Sequence, residues 1–181
     1  MDDLIIVVPY DPSWPHLFAQ IGQQLRTALN QQAVRIDHIG STAIPQLAAK
    51  PVIDIQISVL ALEPVTAYRS AIEAVGFIWR ANNPDLTKRY FREALGQRGT
   101  HIHVRRAGSW SEQFALLFRD YLRTHPDDAE HYATLKQHLA QQYRHERDTY
   151  VAAKGPFIWT VMQRASQWSQ DTGWEPGLAD C

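Results

Sequence analysis

The chain has 181 residues, of which 45% are hydrophobic and 20% charged, with a formal net charge of -1. That length suits one domain with a full core, and the near-neutral balance excludes a whole-chain nucleic-acid or membrane-surface binder while leaving a local basic pocket open. The single cysteine, Cys181, excludes an internal disulfide and a cysteine-based zinc site.

The opening run, Met1-Asp2-Asp3-Leu4-Ile5-Ile6-Val7-Val8, has neither the basic region nor the long apolar stretch of a signal peptide. No segment approaches the ~20 apolar residues of a membrane span, so the expected location is the cytoplasm. Leu4 to Val8 reads as a short strand. Asp11 is the expected cap of a first helix with Pro12 at its first position. Trp14, Leu17, Phe18, Ile21, Leu25, Ala28 and Leu29 form its apolar stripe.

Val34 to Ile39 reads as a strand, broken by Gly40-Ser41-Thr42, and Ile44 to Ala49 makes one short turn. Pro51 to Leu60 is a second strand, in which Ile53, Ile55, Ile57 and Val59 face one way and Asp54, Gln56 and Ser58 the other. Glu63-Pro64 opens a helix that Gly76 stops, and Phe77 to Arg80 is a strand. Lys88 to Glu93 and Thr100 to Arg105 flank a hairpin loop at 96–99. Ser109 and Glu112 fit a capping box for a helix that ends before Pro126. A further helix starts at Asp127-Asp128, and Gly155-Pro156 separates it from a last one. Beyond Ser169 the chain is rich in Gly, Pro and acid and is expected to fray, giving one domain over 1–168 and a tail over 169–181. Strands early and long helices late predict an α+β domain, a mixed sheet flanked by helices.

A carboxylate in mid-strand facing a Gly-Ser turn needs a partner, a metal or a ligand. The amides of Gly40, Ser41 and Thr42 suit phosphate oxygens, and Lys50 suits phosphate charge. The bland alternative is a tight packing turn, with Asp54 paired to Lys50 or an arginine. His101 and His103 alternate on a strand, so both imidazoles face one side, as a metal site or an acid-base pair requires. Arg89 and Phe91 share one face of their strand and Tyr90 and Arg92 the other; Arg89 is taken as the guanidinium on the Asp54 side that grips phosphate. Asp37 and Glu93 are further candidate acids. Arg119 and Lys136 read first as solvated helix residues, with reach into the Asp54 cleft as the alternative.

The run His38-Ile-Gly-Ser-Thr-Ala-Ile-Pro, followed by Ala49-Lys-Pro-Val-Ile-Asp-Ile, resembles the GrpB family of the nucleotidyltransferase-like superfamily. The likeness continues through Thr100-His-Ile-His-Val and Phe118-Arg-Asp-Tyr-Leu to Lys154. It implies a nucleotidyltransferase-like fold, a nucleoside triphosphate held by Gly40 and Ser41, and transfer of its nucleotidyl group to an unidentified acceptor. It further implies divalent metal, Mg²⁺ first, on a pair of acids two apart plus a third on a neighbouring strand. Asp54 fills the first place, but Gln56 stands where the second acid belongs. The site expected here is therefore Asp54, His101 and His103 for catalysis and metal, with Gly40, Ser41, Thr42, Lys50 and Arg89 for the nucleotide. Two other readings stay open: a metal-dependent phosphoester hydrolase, and a non-catalytic ligand-binding domain that kept the fold. The partner implied is a small nucleotide, with no membrane and no nucleic acid.

Overall fold

The structure, a computed structural model, describes residues 4–94, 96 and 99–181. The first residues, Met1 to Asp3, and Gln97 and Arg98 of the expected hairpin loop lie outside the described residues.

Alternation along the strands builds a 5-stranded sheet in the order β1-β2-β5-β4-β3. The strands are β1 (Arg35–Ile39), β2 (Ile53–Val59), β3 (Phe77–Trp79), β4 (Lys88–Glu93) and β5 (Thr100–Arg106). β2 and β5 run parallel, and every other neighbouring pair is antiparallel. This is the mixed sheet and α+β single domain that the residue pattern predicts. Ile53, Ile55, Ile57 and Val59 of β2, with Phe91, Ile102 and Val104, pack on one face against α1 (Trp14–Leu29) and α2 (Arg69–Ala74). Each fully buried Ile or Phe of that kind contributes roughly 1.5–3 kcal/mol.

The other face carries Asp54, Gln56, His101 and His103. Over it lie α3 (Trp110–Thr124), α4 (Pro126–Gln142), α5 (Arg147–Ala153) and α6 (Gly155–Thr172). Their apolar stripes meet Ile44 and Leu47 in a second cluster with Tyr121, Leu122, Tyr132, Val161 and Met162. Ile5, Leu139, Ala140 and Tyr150 form a third.

Several local expectations change. Residues 4–8 form no strand beyond one bridge between Val8 and Ala49, because the chain there packs through Ile5 instead. The first helix starts at Trp14. Asp11 Oδ1 accepts from the Ser13 amide at 2.8 Å, closing a turn ahead of the helix. After the Glu63–Pro64 pair comes a 3-10 turn, Val65–Ala67, and only then the short α2. α5, a separate helix between the last two long ones, has no counterpart in the expected order.

The tail does not fray. α6 runs to Thr172, where Gly173 takes the left-handed conformation and ends it. The last residues then return along the outer edge of β1: Cys181 N donates to Ile36 O at 3.1 Å, and Asp180 Oδ2 accepts from His38 N at 2.9 Å. Arg119 Nη1 donates to the same carboxylate oxygen at 2.9 Å. The physical reason is that β1 is an edge strand with open backbone groups, and the tail satisfies them. Asp180→Ala strands the His38 amide and removes one partner of the buried Arg119. The expected cost is about 1–3 kcal/mol, read as a lower urea midpoint with an unchanged slope.

Candidate functional site

Register decides what meets on the helix-covered face. Parallel pairing sets Asp54 beside His101 and Gln56 beside His103. Antiparallel pairing of β4 and β5 adds Tyr90 beside His103 and Arg92 beside His101. Asp54 Oδ1 lies 3.2 Å from His101 Nδ1 and 3.1 Å from His103 Nε2. Tyr90 packs on both imidazoles, with ring centres 5.5 and 5.3 Å away. Asp54 and its two histidines each offer one ligand atom, and these lie within 4.8 Å of one another.

Gly40 explains how the carboxylate is seated. Its φ is +72°, and a Cβ there would fall 2.7 Å from Asp54 Oδ2. The position is closed to other residues by backbone and by space together. The close approach that the sequence suggested for a ligand is thus made, in the chain itself, by Asp54. The 3-10 turn Ser41–Ala43 follows, and its first amides have no partner within the turn. Thr42 Oγ1 donates to Val52 O at 3.0 Å and, with its only hydrogen so used, accepts a hydrogen bond from His38 Nε2, also at 3.0 Å. His38 itself stacks on Phe18 on the opposite face of the sheet. It braces the turn and stays out of the Asp54 group.

The turn and triad form the floor of a cleft of about 670 Å³. Lys50, Lys88, Lys136, Arg147 and Lys154 line it, against Asp54 and Asp148. A second groove of about 390 Å³ shares Lys50, Val52, His101 and Arg147 and adds Arg80 and Arg92. Lys136, expected on a solvated face, is buried: Nζ donates to Ala48 O at 2.6 Å and lies 4.5 Å from the Tyr132 ring centre. Lys154 stands over Tyr150 in the same way at 4.5 Å.

Burial lowers Lys136 to about 7 and Lys154 to about 8. Burial likewise lowers His103 to about 4, so its imidazole is neutral at neutral pH. For Asp54, burial works to raise the carboxyl, but the hydrogen bonds and charge of His101 and His103 outweigh it and hold it well below the usual carboxylate range.

Not every expected residue joins. Arg89 faces the other side of the sheet, opposite Val104, and pairs with Glu63 at 2.7 Å. Alternation places it with Phe91, and that is the core face; Lys88, Tyr90 and Arg92 face the cleft. Gln56 is fully buried, accepting from Arg105 and donating to Glu112 O at 3.4 Å. Asp37 is clamped by Arg35 at 2.7 and 2.8 Å. Glu93 accepts from Thr100 N at 2.6 Å, and Arg119 is held by Asp120 and Asp180. Arg147 and Lys88 were missing from the expected site. The same alternation that misplaced Arg89 would have found Lys88, whereas nothing local marks Arg147.

This mixed sheet with its helix cover resembles a nucleotidyltransferase-like fold. Crystal structures of the Cid1 poly(U) polymerase superpose with a TM-score of 0.51 at 12% and 11% identity, over 76% of this chain and 44% and 43% of theirs; at that identity the likeness concerns fold alone. The family model described as GrpB protein matches residues 4–164, and the chain belongs to the GrpB family. The crystal structure of the conserved protein GrpB from Enterococcus faecalis matches with a TM-score of 0.82 at 34% identity, covering 90% of this chain and 99% of that one. The UPF0157 protein YqkA of Bacillus subtilis is 34% identical over 91% of this chain and 48% of its own length. A UPF0157 protein of Pseudomonas aeruginosa is 36% identical over 91% of this chain and 69% of its own. A protein of Mycolicibacterium paratuberculosis named dephospho-CoA kinase is 36% identical over 94% of this chain and 48% of its own. The chain thus spans about half the length of several relatives it matches. Among the described residues no helix is long and apolar enough to cross a membrane.

Two outcomes follow from the geometry. Gly40→Ala forces a strained φ and a clash with Asp54, and is expected to lower stability by about 1–3 kcal/mol, measured by urea denaturation. Lys136 has a lowered folded value, so the unfolded chain holds the extra proton between about 7 and 10.5. Wild type should therefore gain stability relative to Lys136→Met as pH rises through that window, and lose it as pH falls to about 7. Paired denaturation curves from pH 6.5 to 10 read the difference.

Proposed function

We propose that the chain binds the triphosphate of a nucleotide in this cleft and transfers the nucleotidyl group to an acceptor, with a divalent ion held by Asp54, His101 and His103. The observation that carries the reading is the convergence of Asp54, His101 and His103 at the Gly40-Ser41 turn, on the floor of a cleft rich in lysine. A cleft of about 670 Å³ falls within the range of small-molecule sites.

Each residue then has a task. The first amides of the Ser41–Ala43 turn meet phosphate oxygens. Lys50, Lys136 and Lys154 neutralise the chain of phosphates, and Arg147 offers a fork to one of them. A metal ion held at Asp54 would polarise a phosphoryl oxygen. The adjoining groove past His101, with Arg80 and Arg92, gives the acceptor its approach. The acceptor oxygen or nitrogen attacks the α-phosphorus, and pyrophosphate leaves toward the lysines.

The relatives named dephospho-CoA kinase support a phosphate-handling role no further than that name reaches. These 181 residues contain no G-x-x-x-x-G-K-[ST] run of the P-loop kind. A second reading, metal-dependent phosphoester hydrolysis, is favoured by the burial of Gln56, which leaves one carboxylate at the junction. There water replaces the acceptor and the product is a free phosphate or nucleotide.

The test is a thermal-shift screen of nucleoside triphosphates, with and without divalent metal, on wild type and Asp54→Ala. A ligand at 100 times its Kd should add about 2.7 kcal/mol to stability. The expected result is a rise in Tm that needs both triphosphate and metal and disappears in Asp54→Ala. A triphosphate shift unchanged in the variant, or no shift in either protein, would sink the reading. Binding of the polyanion should also drive proton uptake at pH 8, because Lys136 at about 7 and Lys154 at about 8 are partly neutral there. Calorimetry in two buffers of different ionisation enthalpy measures that uptake, which should shrink toward pH 6.

A further inference from the structure

Two-metal nucleotidyl transfer, which the fold family implies, needs hard oxygen ligands around Mg²⁺. The residues present do not supply them. Gln56 occupies the place of the second acid, is buried, and spends its amide on Arg105 and the Glu112 carbonyl. Asp37 is on the same face of the sheet but is clamped by Arg35 beneath α3. What stands beside Asp54 is a pair of imidazoles.

The geometry points to a different ion: Asp54, His101 and His103 form a three-ligand site for one divalent 3d cation of the Zn²⁺ kind, with its open side toward the basic cleft. Imidazole nitrogen suits zinc, iron and nickel, whereas Mg²⁺ prefers oxygen. Asp54 Oδ1 is 3.2 Å from His101 Nδ1 and 3.1 Å from His103 Nε2. A tetrahedral ion with bonds of about 2.0–2.1 Å keeps its ligand atoms about 3.3–3.4 Å apart. To accept an ion the two Asp54–histidine edges open slightly, the histidine nitrogens, which lie within 4.8 Å of each other, draw to the same spacing, and two hydrogen bonds are exchanged for coordination. All three ligands stand on β2 and β5, whose parallel ladder holds them, so the site does not depend on a loop closing. Three protein ligands with one side open is the arrangement of catalytic rather than structural zinc. Lys50 and Lys154 on that side select an anionic oxygen as the next ligand. This inference stands on the side chains alone and does not require that the ligand be a nucleotide.

The experiment uses the metal-stripped full chain with metal ions as the only ligands. Isothermal titration compares Zn²⁺, Co²⁺ and Mg²⁺, and visible absorption follows the Co²⁺ form. One Zn²⁺ or Co²⁺ per chain is expected, with Zn²⁺ bound at least about 100-fold more tightly than Mg²⁺. The Co²⁺ form should show the strong visible bands of low coordination. His101→Ala and His103→Ala should each weaken Zn²⁺ binding by about 100-fold or more with the far-ultraviolet dichroism unchanged. His103→Gln, which keeps a polar side chain against Asp54, should bind as poorly and guards against loss of fold. Equal affinity for Mg²⁺, no binding of any ion, or Zn²⁺ binding that survives the folded histidine variants would overturn the assignment. Because no nucleotide is present, a later failure to bind triphosphate would count against the transferase reading alone.

Discussion

The parallel pairing of β2 with β5 is the constraint on which the site depends, because it brings an ionised carboxylate and two imidazoles from distant parts of the chain to one point. Parallel ladders are buried on both faces, and here one face is filled with Ile and Val while the other holds Asp54, Gln56 and Ser58. A charge in that position persists only with partners around it. The two histidines supply them, and Gly40 makes room by having no side chain where Asp54 Oδ2 lies. Any bulk at Gly40, or any slip of the ladder by one residue, dismantles the arrangement.

Around that point the charge balance is uneven. The cleft walls carry four lysines, Lys50, Lys88, Lys136 and Lys154, from four separate segments, and two of them are buried enough to lose much of their ordinary basicity. Keeping ammonium groups in such surroundings costs stability unless an anion arrives. The cleft therefore gathers cationic groups whose burial works against their charge. The Lys136 contact with Ala48 O also ties α4 to the segment that follows the Gly-Ser-Thr turn, so the same side chain shapes the floor and lines the cleft.

At Gln56 this chain departs from the acid pair that the sequence resemblance implies. Gln56 keeps the strand position of an acid but turns into the protein, where Arg105 and α3 hold it. The fold resembles that of nucleotidyltransferases, while the group at the centre of this sheet is one acid beside two imidazoles. Fold likeness at 12% identity thus carries architecture, and the chemistry must be argued from Asp54, His101 and His103 themselves.

Much of this was legible in the amino-acid order, because local periodicity expresses local geometry. The period of two separated Ile53, Ile55 and Ile57 from Asp54 and Gln56, and put His101 and His103 on one side. Gly40 and the Gly-Ser-Thr break were visible for the same reason. Arg89 was misassigned because alternation says which residues share a face but not which face is the cleft; only packing against α1 and α2 decided that Phe91, and Arg89 with it, turn to the core. Lys136 and the tail were misjudged because polarity was read as exposure. Burial of a lysine or ordering of an acidic terminus depends on partners far along the chain, Ala48 for one and β1 with Arg119 for the other. The sequence by itself determined the elements, the two-faced strands and the residue types available for chemistry, which are properties of neighbours along the chain. The tertiary structure alone decided that Asp54, two imidazoles and a ring of lysines share a cleft, because strand order and helix cover are set by contacts between residues far apart in sequence.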